Sequence, residues 1–120
     1  MALDLRPQPL DWYAIKQGDT YPACNFVSTD ADTVLARVRL KVRLQGSSSA
    51  SLSLDSETSG ITINSTAAGA WDYTIDSISA EQTTTLAPGY YDQELEVTDT
   101  NGVVSTDFEG IWEILPQITD

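Results

Sequence analysis

Residues Val34–Leu44 read V-L-A-R-V-R-L-K-V-R-L, and the alternation in this stretch decides the fold. Val34, Ala36, Val38, Leu40, Val42 and Leu44 share one parity, and Arg37, Arg39, Lys41 and Arg43 share the other. At two residues per repeat, every apolar group leaves by one face and every cation by the opposite face. The stretch is therefore expected to be a long strand, dry on one side and wet on the other. Its wet side holds four of the six Lys and Arg residues of a chain that carries 18 Asp and Glu and a net charge of -12. An acidic strand is expected beside it.

Downstream, the small polar loop Gln45-Gly46-Ser47-Ser48-Ser49 ends the strand and is expected to be flexible. Short alternating pieces follow: Leu52 and Leu54, then Ile61 and Ile63 after Ser59-Gly60, then Trp71, Tyr73 and Ile75 after Ala68-Gly69. Strands spaced by about ten residues, with a turn signal before each, mark an all-β sandwich or barrel. Between Ser77 and Leu86, Ser79 and Gln82 stand at capping-box spacing, but the threonines after them are poor helix formers, so one helical turn at most is expected. The next strand turns Tyr91, Gln93, Leu95 and Val97 to one side and Asp92, Glu94 and Glu96 to the other, which supplies the acidic partner for the basic stripe. Asp99-Thr100-Asn101-Gly102 carries an Asn-Gly pair between alternating flanks, the strongest hairpin signal in the chain. A last strand from Val103 through Phe108 and Trp112 to Leu115 stops at Pro116.

Upstream, Leu10–Lys16 alternates as a strand and Gln17-Gly18-Asp19-Thr20 turns it. Tyr21–Val27 is a second strand, moved toward a sheet edge by Pro22, which cannot donate to a ladder. Arg6-Pro7-Gln8-Pro9 is expected to be an extended, unpaired arm, because the prolines fix φ and bias their neighbours away from helix. The division that follows is an arm over 1–9, a sandwich over 10–116 and a polar tail over 117–120. Arg6, Pro7, Pro9 and Trp12 are the candidate interface residues, being the arm and the first aromatic beyond it.

Composition narrows the function. A chain of 120 residues fits one domain with one core. Met1 leads into A-L-D-L-R-P-Q-P without an apolar signal core, and the single Cys24 cannot form an internal disulfide, so synthesis in the cytoplasm is expected. No apolar run is long enough to span a bilayer, and a soluble protein with no membrane partner is expected. The acidic balance argues against nucleic acid, which needs an outward cationic field.

The chain has no histidine, which removes Ser-His-Asp and Cys-His nucleophile systems and imidazole-ligated metals. Cys24 reads as an inert thiol, and no glycine run forms a phosphate cradle, so no cofactor is expected. Asp92, Glu94 and Glu96 lie along one strand face, whereas glycoside hydrolysis needs acids on opposite sides of a bond, so a solvated or paired face is favoured. The oxygen-rich Asp99–Gly102 lacks the distal Glu of a calcium loop. Asn64-Ser65-Thr66 matches a glycosylation acceptor, which has no use without a secretory route. Trp12, Trp71 and Trp112 offer flat faces for a sugar ring, although aromatics at strand parity usually belong to the core.

The pattern Gln17-Gly18-Asp19-Thr20-Tyr21-Pro22, V-R-L-K-V-R, Ser59-Gly60-Ile61-Thr62-Ile63, Trp71-Asp72-Tyr73, Leu86-Ala87-Pro88-Gly89-Tyr90-Tyr91-Asp92, Asn101-Gly102 and Phe108-Glu109-Gly110-Ile111-Trp112 resembles small tailed-phage virion proteins. In particular it is similar to the immunoglobulin-like N-terminal domain of phage baseplate upper proteins, from about residue 12 to 118. Where many relatives have an Asp-Leu-Thr-Gly-like turn before the long strand, this chain has Asp30-Ala31-Asp32-Thr33. The resemblance implies an immunoglobulin-like antiparallel β-sandwich of about seven to nine short strands, with Tyr91 turned inward as a tyrosine corner. It implies no catalytic residue. The expected function is a non-enzymatic virion structural protein of the tail, baseplate, fibre attachment or head decoration. Its partners would be other virion proteins and copies of itself. The alternative is a carbohydrate-binding or host-recognition module with a host glycan as ligand, and an accessory domain of a hydrolase is the weakest reading.

Overall fold

In the computed structural model, residues 8–9, 15–29 and 31–117 are described. Among them are nine strands and one short helix: β1 Gln8–Pro9, β2 Ile15–Lys16, β3 Cys24–Ser28, β4 Leu35–Leu44, β5 Leu52–Asp55, β6 Ile61–Ser65, β7 Trp71–Ile75, α1 Ala80–Thr84, β8 Gly89–Asp99 and β9 Val104–Leu115. One sheet runs β1-β9-β8-β4-β5 with β2 also paired to β9, and the other runs β3-β7-β6. Two sheets with this division of strands make an all-β, immunoglobulin-like sandwich. The long strands β4, β8 and β9 form the spine of the larger sheet.

The inward parity of each strand fills the space between the sheets. Val38, Leu40 and Val42 of β4, Tyr91, Leu95 and Val97 of β8, and Trp112 and Ile114 of β9 meet Ile61 of β6 and Trp71, Tyr73 and Ile75 of β7. Full burial of each such aliphatic side chain stabilises by roughly 1.5–3 kcal/mol relative to exposure, so this layer holds the sheets together. Polar atoms that enter it are bonded. Trp112 Nε1 donates to Gln93 Oε1 at 2.9 Å, and Trp71 Nε1 donates to the Thr33 carbonyl at 2.7 Å. The Tyr91 hydroxyl donates to the Ala87 carbonyl at 2.6 Å, the corner expected of an immunoglobulin-like domain. Burial raises the pKa of this phenol.

The helix begins with Ser79 Oγ accepting from Gln82 N while Gln82 Oε1 accepts from Ser79 N, a complete capping box. It ends after five residues. The β8–β9 hairpin closes where Gly102 takes φ 81, with Gly102 N donating to the Asp99 carbonyl at 3.0 Å. Asp99 Oδ1 accepts from the amides of Asn101 and Val103, which fixes the turn.

Four sequence expectations change. The parity of the central stretch breaks at its start, since Leu35 is buried while Val34 and Ala36 are exposed. A β-bulge shifts the β4–β8 register between Leu35 and Arg37, and an inserted residue flips every side chain before it. The arm is not unpaired as far as Pro9. Gln8 and Pro9 lie parallel to Phe108 and Glu109, on a sheet edge where the missing proline donor is tolerated. The sandwich is accordingly not antiparallel throughout, because β1 and β2 both run parallel to β9. Finally, the strand expected over Tyr21–Val27 starts at Cys24, and Tyr21 makes an isolated bridge to Ile78. Pro22 explains the late start, and β3 is an edge strand of the smaller sheet.

Candidate functional site

The outer face of the larger sheet brings the sequence-predicted charges together. In register, Arg39 faces Glu96, Lys41 faces Glu94 and Arg43 faces Asp92. Contacts do not follow the register uniformly. Arg39 Nη2 and Lys41 Nζ both reach Glu96, each at 3.5 Å. Arg37 turns to the other neighbour, β5, where its Nε donates to Asp55 Oδ1 at 3.1 Å and its Nη2 donates to Asp55 Oδ2. This two-pronged bond holds the Asp55 carboxyl below its usual range, and the same bond raises the pKa of Arg37. Glu57 adds a contact to Arg37 Nε at 3.4 Å.

At the other end of the ladder, Asp92 accepts from Gln45 Nε2 at 3.1 Å. Among the described residues, Arg43 and Glu94 have no ion pair. Two shallow grooves of about 230 and about 380 Å³ adjoin there, and Arg43, Asp92 and Glu94 line both.

The outer face of the smaller sheet is built differently. Asn25 Nδ2 and Asn64 Nδ2 converge on Asp72 Oδ1 at 2.7 and 3.1 Å, and each amide also reaches Thr74 Oγ1. These two donors, Asn25 first, lower the pKa of Asp72 without any cation. The two sheets are tied across the core by the Tyr73 hydroxyl, which donates to Asp107 Oδ2. Burial, and then the neighbouring carboxylate, raise the Tyr73 pKa.

A third region is the loop end of the sandwich, where three connections from both sheets are knitted together. Thr100 N donates to the Val34 carbonyl at 2.9 Å, Leu35 N donates to the Thr66 carbonyl at 2.9 Å, and Gly69 N donates to the Ala31 carbonyl. Val34, Val103 and Val104 are exposed there at 42%, 60% and 51%. Ala36, Ala67, Ala68 and Ala70 are also exposed.

Asp55 was legible in the sequence, since Leu52 and Leu54 must point inward and Asp55 therefore outward, yet it was not singled out as a partner. Asp107 was not legible. The β8–β9 register shifts between Leu95 and Glu96, and that irregularity lies where Asp107 reaches the core tyrosine. Val34 has the inward parity in the sequence and is turned out by the bulge at the start of β4, Val104 opens β9, and Val103 lies in the hairpin turn, which carries no periodic signal.

Of the candidate sugar-stacking residues, Trp71 and Trp112 are buried in the core and offer no face to a ligand. Trp12, Arg6 and Pro7 lie outside the described residues. Cys24 is a half-buried free thiol. Among the described residues no group of three or more Cys, Asp or Glu side chains is placed to hold a metal ion. No helix among them is long and apolar enough to cross a membrane.

No family model matches the sequence, and no curated protein matches it. Among solved structures, the chain is similar to that of a mutant SrpA adhesin from Streptococcus sanguinis, with a TM-score of 0.44 and 10% identity over 90% of this chain. The match covers 56% of the adhesin chain, so this protein spans little more than half of that relative's length.

Proposed function

We propose that this protein is a non-enzymatic docking module of a larger assembly, a bacteriophage virion structural protein of the tail, baseplate, fibre attachment or head decoration. The observation that carries the reading is the loop end, where three connections bonded to one another leave Val34, Val103 and Val104 exposed. Apolar side chains presented at one end of a domain suit a surface that another protein covers. The phage assembly itself is supported by the resemblance of the turn and strand pattern to baseplate upper proteins. Individually weak contacts of this kind hold a virion protein when symmetry repeats them. The sugar-binding alternative has lost Trp71 and Trp112 to the core.

Changing Val34, Val103 and Val104 together to Asp tests the reading in the phage that encodes the chain. The expected result is a folded protein missing from purified particles by mass spectrometry. Wild-type protein absent from particles, or the triple variant incorporated at the wild-type level, overturns it.

A further inference from the structure

We infer that the outer face of the larger sheet docks a second copy of this chain about a two-fold axis, with Arg43 and Lys41 of one copy over Asp92 and Glu94 of its partner. The signs on this face are segregated by strand. β4 carries Arg39, Lys41 and Arg43, and β8 carries Asp92, Glu94 and Glu96 directly opposite them. A face divided in this way complements itself under one rotation only. An axis running along the strands lays β4 of one copy on β8 of the other, whereas an axis across them would lay cations on cations. The net charge of -12 on each copy opposes association everywhere else, and four of the six cations lie on this strand.

The end of the ladder near Arg43 has free bonding capacity to offer. Lys41 leans away from its register partner toward Glu96, and Asp92 is shared with Gln45. Glu94 is left directly between Lys41 and the like-charged Glu109 of β9, an arrangement that is unfavourable within one copy. The ammonium of Lys41 from the partner copy relieves it. The two grooves beside Arg43 give long side chains room to cross, and Tyr90 and Ile111, each about half exposed at 55% and 45%, supply apolar contact on the same face. The contact is isologous, so each pair occurs twice.

This inference rests on the docking-module reading and names one partner and one surface for it. Sedimentation velocity on the purified full chain, with Arg43→Glu, Asp92→Arg and their equimolar mixture, tests it. The wild type is expected to dimerise at micromolar to submillimolar concentration. Each single reversal should weaken dimerisation at least tenfold, which corresponds to about 1.4 kcal/mol. The mixture should restore it, because both crossed pairs are then of opposite sign. Circular dichroism confirms the fold of each variant, and Arg43→Gln and Asp92→Asn replace any reversal that does not fold. A wild type that stays monomeric at about 1 mM, or a mixture no better than its components, overturns the inference. Monomeric protein that still enters particles through its loop end overturns this inference alone, whereas a dimer absent from particles overturns the function alone.

Discussion

The β4–β8 ladder is closed at one end and open at the other, although both ends were written with the same alternation. At the closed end Arg37 and Arg39 are engaged by Asp55, Glu57 and Glu96. At the open end Arg43 and Glu94 have no ion pair among the described residues. The difference comes from neighbours rather than from the strand itself. β5 reaches Arg39 with Asp55, but beside Lys41 and Val42 it presents Ser53 and Leu52, and the chain then turns away through the serine loop. Below the closed end, the bulge in β9 also sends Asp107 inward to Tyr73, so this end is tied to the second sheet. A charge in register is therefore not by itself a partner: Arg43 has Asp92 opposite it on β8 without an ion pair among the described residues, and β5 on the other side ends short of it. One end of the ladder serves the fold, and the other is available to a partner.

The largest effect expected on this contrast is at the tie between the sheets. Tyr73→Phe removes the donor to Asp107 while keeping the ring, and should cost about 1–2 kcal/mol in chemical denaturation. A change below a few tenths of a kcal/mol would mean that the closed end is not anchored through the core.

A smaller effect is expected from Asp55→Asn, which keeps the shape and the bond from Glu57 N but removes the charge that Arg37 grips. Its melting temperature should fall by a few degrees near neutral pH. The folded carboxyl titrates below its ordinary value of 3.8, so the unfolded chain takes up this proton first. The contribution of Asp55 is thus complete above about pH 4 and is lost as pH falls through the folded pKa. The gap between wild type and Asp55→Asn should close on acidification, and a gap that is constant from pH 6 to pH 2 would remove the ion pair as its cause.

The smallest effect belongs to the open end. Arg43→Gln should leave the melting temperature of the monomer, read at high dilution, within about one degree of wild type, as for surface changes that break no contact. A drop matching that of Asp55→Asn would show that Arg43 is paired within the fold and erase the contrast.

The sequence by itself determined the sandwich, because period-two alternation and turn residues act locally. Val38, Leu40 and Val42 could point only one way, Ser79 and Gln82 could cap only one turn, and Asn101-Gly102 could only close a hairpin. It also determined that cations on β4 would face acids on β8. It did not determine which charges touch. A one-residue bulge at Leu35 and another irregularity near Asp107 reset parity without any sign in the composition. The pairing of Arg37 with Asp55 depended on which strand settled on the far side of β4, and the pairing of β1 with β9 on which edge stayed free. Those outcomes follow from long-range packing, where neighbours distant in sequence decide the environment of each side chain. Tertiary structure alone therefore separated the charges that hold the protein together from those it presents.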